Sequence, residues 1–169
     1  GWLSWELAVA YPERIKKMTL VAPAGYKEGN QNAPSKNLDE KWIFKKIMKT
    51  GIPKWLVRKN FKKGYAKNDR LTDEEVARNY HLLNREGNLK AMFDLIASEL
   101  PDRDDRIAQV SVPTLIVWGE KDKNMPVKYA HRFHEDIPNS QLLIFENAAH
   151  KVAEEKADTL AKVLRKFYQ

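Results

Sequence analysis

Three short apolar runs constrain the fold of this chain most: Met-Thr-Leu-Val-Ala at 18–22, Thr-Leu-Ile-Val-Trp at 114–118 and Gln-Leu-Leu-Ile-Phe at 141–145. Their apolar residues are consecutive rather than alternate, which suits strands covered on both faces. A helical pattern precedes the first run over 2–11, with Leu3, Leu7 and Ala10 spaced as one face and Pro12 stopping it. Helical patterns also follow the other two runs, over 127–137 and 151–168. Strands alternating with helices imply an α/β fold with a parallel sheet, since each parallel pair needs a crossover connection. Three strands are few for sheets that usually hold about five or six, so the front of the domain is expected to lie outside these residues.

Between the first and second runs the character changes. From about Lys36 to Ala108 the pattern is helical throughout. The stretch 38–49 offers Trp42, Ile43, Ile47 and Met48 as candidate buried positions, and 53–63 carries Trp55, Leu56, Val57 and Phe61. Thr72 caps a third helix, with Glu75 placed to complete a capping box, and a fourth over 89–100 is ended by Pro101. The expected organisation is therefore a core α/β portion over 1–30, an all-helical cap over 31–109 and a second core portion over 110–169.

Composition narrows the chemistry. The 169 residues suffice for one hydrophobic core. There is no cysteine, which excludes disulfides, thiolate metal sites and a cysteine nucleophile within these residues. No apolar run approaches the roughly 18 residues that span a bilayer. No signal-peptide pattern is visible, and a cytoplasmic location is the expectation, with the true N-terminus upstream because Gly-Trp-Leu-Ser-Trp lacks an initiator Met. The net charge of +7 is uneven: 41–70 holds eleven Lys or Arg against one acid, a local net of +10, and the remainder is −3. Such a stretch suits a solvated helical face first, and an anionic contact through the cap second.

In open parallel sheets ligands bind beyond the carboxyl ends of the strands, so the segments after the apolar runs are the places to look. The second run is followed by Gly119-Glu120-Lys121-Asp122, with Pro126 beyond, and the third by Glu146-Asn147-Ala148-Ala149-His150. A carboxylate and an imidazole thus occupy consecutive strand-to-helix loops. A carboxylate bonded to a histidine fixes its tautomer and stabilises the imidazolium formed during catalysis, and the pair then needs a nucleophile. Asp122 and His150 are the candidate catalytic residues. Ser4 lacks the glycines of a nucleophile turn and reads as a small residue packing a helix against the sheet. His81, His131 and His134 read as surface residues; the i, i+3 spacing of the last two has no carboxylate cluster to make a metal site.

These segments resemble α/β-hydrolases. Trp-Gly-Glu-Lys-Asp at 118–122 is similar to their acid loop, and Asn-Ala-Ala-His at 147–150 to a histidine loop that usually reads Gly-Ala-Gly-His, with Asn147 and Ala149 here in place of glycines. Ala8-Val9-Ala10-Tyr11-Pro12-Glu13-Arg14-Ile15 resembles the helix after the nucleophile elbow. The resemblance covers 1–26 and 110–169 and implies the C-terminal part of the fold, with a helical cap inserted. It also implies a G-x-S-x-G elbow whose serine would fall three residues before Gly1, so the chain alone is expected to be inactive.

The implied activity is hydrolysis of a carboxylic ester or related acyl compound by a Ser–His–Asp triad, on a small-molecule substrate. No cofactor, metal or nucleic acid is expected. A substrate entering between sheet and cap would meet Trp42, Trp55 and Phe93, which read mostly as the cap's own core. An Asp nucleophile, as in haloalkane dehalogenases and epoxide hydrolases, would use the same pair. A binding protein that keeps the fold, with its basic cap as a docking surface, is the non-enzymatic alternative.

Overall fold

A computed structural model describes residues 1–26, 42–67, 71–97 and 103–169, with 42–45 and 96–97 described by backbone alone. In chain order the elements are α1 (Trp2–Ala10), β1 (Met18–Val21), α2 (Trp42–Thr50), α3 (Lys54–Lys62), α4 (Asp73–Leu83), α5 (Asn88–Ala97), β2 (Thr114–Gly119), α6 (Lys128–Asp136), β3 (Ser140–Phe145), α7 (Val152–Glu155) and α8 (Ala157–Tyr168). Short 3₁₀ helices lie at Pro12–Arg14 and Asp104–Gln109. The elements form two compact units: Gly1–Asn30 with Gly64–Lys67 and Asp102–Gln169, and Gln31–Lys63 with Asn68–Pro101.

The first unit is an α/β unit built on the three apolar runs. They form one sheet in the order β1-β2-β3, parallel throughout, with Leu20 paired to Ile116 and Ile116 to Leu142. All of β2 is buried. Because side chains alternate across a strand, its residues serve two cores. Ile116 and Trp118 pack with Trp5, Leu20, Ile107, Phe133 and Ile137 on the side of α1 and α6. Leu115 and Val117 pack with Val152, Leu160 and Leu164 on the side of α7 and α8. This is the α/β arrangement of helices on both faces of a parallel sheet that the strand–helix alternation predicts.

Several details of the α/β unit depart from the sequence expectations. α1 turns Trp5 and Ala8 to the core and leaves Leu3 66% and Leu7 51% exposed. The indole is the larger apolar group, and on this side its N–H reaches the Ala24 carbonyl at 3.0 Å. Second, 103–109, expected in the cap, lie with the α/β unit, where Ile107 is fully buried between α1 and α6 residues. Third, the helix expected over 151–168 is interrupted at Lys156, whose φ of −126° separates α7 from α8.

The second unit contains helices α2 to α5. The expected capping box is present: Glu75 N–H donates to Thr72 Oγ1 at 3.1 Å, and Thr72 N–H to Glu75 Oε2 at 3.0 Å. Beside it Arg58 pairs with Asp73, and that guanidinium holds the Asp73 carboxyl below the ordinary carboxylate range. The pair's stabilisation is therefore present near neutrality and fades as acid protonates Asp73. Val57 and Val76 supply buried core, whereas Trp55 is 65% exposed and Met48 is also exposed, against their expected burial. The side chains of Trp42 and Ile43 lie outside the described residues. Lys49, Lys54, Lys59, Lys62 and Lys63 of the basic stretch are all exposed. Among the described residues no helix is long and apolar enough to cross a membrane. Thr72→Ala should lower stability by about 1 kcal/mol, measured as a lower urea midpoint, while Thr72→Ser should stay close to the parent.

Candidate active site

Asp122 sits in the tight turn that closes β2, with its N–H bonded to Gly119 O at 3.2 Å. Its side chain is wholly withdrawn from solvent. Oδ1 accepts the N–H groups of Asn124 and Met125, each at 2.8 Å. Met125 in turn gives its carbonyl to the indole N–H of Trp118 at 2.8 Å. The core tryptophan at the end of β2 thus pins the loop whose amides hold the carboxylate. Sequence reasoning used Trp118 as a strand residue and as part of the acid-loop pattern, but its carbonyl partner Met125 carries no signal in the sequence.

The other oxygen faces the second candidate: His150 Nδ1 lies 2.8 Å from Asp122 Oδ2. With Oδ1 taken by two donors, Oδ2 is the acceptor, so Nδ1 carries the proton and Nε2 is the acceptor of this tautomer. The imidazole is 36% exposed, and among the described residues Nε2 has no hydrogen-bond partner. A buried carboxylate, an oriented imidazole and an available basic nitrogen are an arrangement that can serve as the acid–base half of a nucleophilic site.

The two loops are locked together by backbone contacts. Glu120 N–H donates to Phe145 O at 3.0 Å and Lys121 N–H to Ala148 O at 2.8 Å. Gly119 is required by close approach: a Cβ there would lie 2.3 Å from Ala149 O and 2.6 Å from Ala148 O. The two non-glycine residues of the histidine loop also have physical explanations. Asn147 adopts φ 52°, a left-handed conformation that asparagine tolerates better than most residues, and its Oδ1 accepts from Lys121 Nζ at 2.6 Å. Ala149 has no positive φ and is buried.

Both peptide N–H groups that bracket His150 are anchored. Ala149 N–H donates to Glu155 Oε2 at 2.7 Å, and Lys151 N–H donates to Gly64 O at 2.9 Å. Neither Glu155 nor Gly64 was singled out from sequence, because no residue pattern marks a carboxylate or a carbonyl as the acceptor of a particular peptide N–H.

No hydrogen bond joins the remaining sequence candidates to this pair among the described residues. Ser4 is exposed on α1 rather than packed against the sheet, because the buried side of the helix is taken by Trp5 and Ala8. His81, His131 and His134 are exposed, and His134 Nδ1 lies 2.8 Å from Ser140 Oγ. Phe93 is half-buried in the helical unit. Among the described residues no group of three or more His, Cys, Asp or Glu is arranged to hold a metal ion.

Comparison with known proteins bears on the family and the fold. A family model described as serine aminopeptidase, S33 matches residues 1–157. An uncharacterised hydrolase, YugF, of Bacillus subtilis (strain 168) is 27% identical over 176 residues, covering 99% of this chain and 61% of that protein. A 2-hydroxy-6-oxononadienedioate/2-hydroxy-6-oxononatrienedioate hydrolase of Pseudomonas putida is 34% identical over 92 residues, covering 53% of this chain and 32% of that one. Among solved structures, a thermophilic esterase from Thermogutta terrifontis superposes with a TM-score of 0.74 at 19% identity, over 99% of this chain and 60% of that chain. The chain therefore spans less than two thirds of the length of these relatives, and its fold is that of part of an α/β-hydrolase.

Gly119→Ala should force the two loops apart at a cost of about 1–3 kcal/mol. Thermal unfolding should report the loss, and the downfield ring-proton resonance of His150 should weaken as its bond to Asp122 lengthens.

Proposed function

The chain belongs to the α/β-hydrolase family described as serine aminopeptidase, S33, and on that premise we propose that its parent protein cleaves a carboxylic ester or related small acyl compound with a Ser–His–Asp triad. Asp122 is the acid, His150 the base, and a serine upstream of Gly1 the nucleophile. The observation that carries this reading is the 2.8 Å contact between His150 Nδ1 and a buried Asp122 carboxylate on the loops after two adjacent parallel strands. The family description supports a serine over an Asp nucleophile, and the Thermogutta terrifontis esterase supports an ester as the substrate class.

In this mechanism Nε2 of His150 takes the proton of the serine as its oxygen attacks the acyl carbon. The imidazolium is stabilised by Asp122 and returns the proton to the departing alcohol or amine. Water then adds by the same base and releases the acid. Backbone N–H groups beside the nucleophile would hold the oxyanion. Residues 1–169 contain no G-x-S-x-G, so in this reading the elbow belongs to preceding chain, and residues 1–169 expressed alone turn over no ester.

Fluorophosphonate labelling of the full-length protein tests the proposal. The label should map by mass spectrometry to a serine shortly before Gly1 and should disappear in His150→Ala. Asp122→Asn should keep the fold and lower kcat by about 10⁴-fold. Folded protein that takes no label would sink the serine mechanism in favour of an Asp nucleophile or a binding role.

A further inference from the structure

We propose that Glu155 is a positioning residue for His150, acting by tying the histidine loop to the short strap Gly64–Lys67; the catalytic part of this proposal rests on the acyl-transfer reading above. The two carboxylate oxygens of Glu155 are divided between two distant pieces of chain. Oε2 accepts the N–H of Ala149, the residue before His150, at 2.7 Å, and Oε1 accepts the N–H of Ala66 at 2.8 Å. No cation pairs with this half-buried carboxylate among the described residues. Each oxygen instead accepts a backbone N–H, which makes both bonds charge-assisted and stronger than bonds between neutral groups.

The strap closes the other flank as well. Lys151, the residue after His150, donates its N–H to Gly64 O at 2.9 Å. Tyr65 is buried, its hydroxyl bonds Glu154, and the Lys151 ammonium lies 3.0 Å from that hydroxyl and 4.7 Å from the ring centre. The backbone before the histidine is thus held by the Glu155 carboxylate of α7 and the backbone after it by the Gly64 carbonyl of the strap, with Glu155 also bonded to the strap at Ala66. The break at Lys156 leaves Glu155 as the last residue of α7.

The consequence for the imidazole is geometric. Among the described residues its ring has one hydrogen bond, the 2.8 Å contact with Asp122, and a shift of about 1 Å would carry that contact beyond hydrogen-bonding distance. Holding the backbone on both sides prevents such a shift. A merely structural Glu155 would add stability without governing the proton-transfer geometry, and the two roles separate by experiment.

The test uses the full-length protein with p-nitrophenyl acetate as substrate. Glu155→Gln keeps size and shape, but its amide nitrogen donates, so one of the two N–H groups loses its acceptor. The expected result is a fall in kcat of about tenfold to hundredfold with KM unchanged, and loss of the downfield His150 ring-proton resonance through exchange with water. In a His150→Ala background the same substitution should leave the residual rate unchanged, because the effect runs through the imidazole. If Glu155→Gln lowers the melting temperature while kcat per folded molecule and the resonance persist, or lowers the rate equally in the His150→Ala background, the positioning role is overturned. If the wild-type protein hydrolyses no ester and takes no fluorophosphonate, yet the resonance is lost in Glu155→Gln, the acyl-transfer reading falls and the positioning of His150 stands. Should Glu155→Gln not fold, Glu155→Asp, which shortens the carboxylate by one methylene, carries the same expectations.

Discussion

The carboxylate of Asp122 is cut off from water, and a charge-bearing group in that position has to be met by donors on both oxygens. Much of the α/β unit is arranged around that requirement. Two amides of the loop after β2 supply one oxygen, and His150 supplies the other. Those amides stay in place because Trp118, wholly buried below them, holds the Met125 carbonyl. Trp118 is buried in turn because β2 is the middle strand of the sheet, covered on both faces. The electrostatics of the site and the packing of the core are therefore one structure, joined at a single indole.

The sheet was legible in the sequence because β2 leaves no ambiguity: a run of consecutive apolar residues ended by Gly119 has few ways to be satisfied other than a doubly covered strand. Once three such runs alternate with helical patterns, parallel order follows, and the loops that must carry any site are known. Asp122 and His150 were singled out by position in this way, and the structure brings them within hydrogen-bonding distance. The Thr72 capping box was equally legible, being a local pattern with a local partner.

What escaped the sequence was decided by competition or by distance along the chain. α1 is apolar on more than one side, so spacing alone could not choose between the Leu3–Leu7 side and the Trp5–Ala8 side; the choice went to the larger group with a reachable carbonyl. Residues 103–109 look like the end of a helical stretch, but Ile107 finds its partners in the sheet layer. Glu155 offers no pattern at all, since Ala66 lies 89 residues away. Asn147 was visible only as an irregularity in a motif, and its meaning emerged from a backbone angle that sequence does not display.

The placement of Gly64–Lys67 with the α/β unit has a consequence for how this chain can change. The polypeptide leaves that unit after Asn30, returns for Gly64–Lys67, leaves again and returns at Asp102. The helical unit is accordingly two inserts, 31–63 and 68–101, flanking a short stretch that belongs to the other unit. Recombination that exchanged the helical region as a single cassette would carry off the strap beside the histidine loop. Exchanges that preserve the α/β unit have to fall in the two inserts separately, so lineages can diversify each half of the helical region independently while the residues between them stay under the constraints of the site.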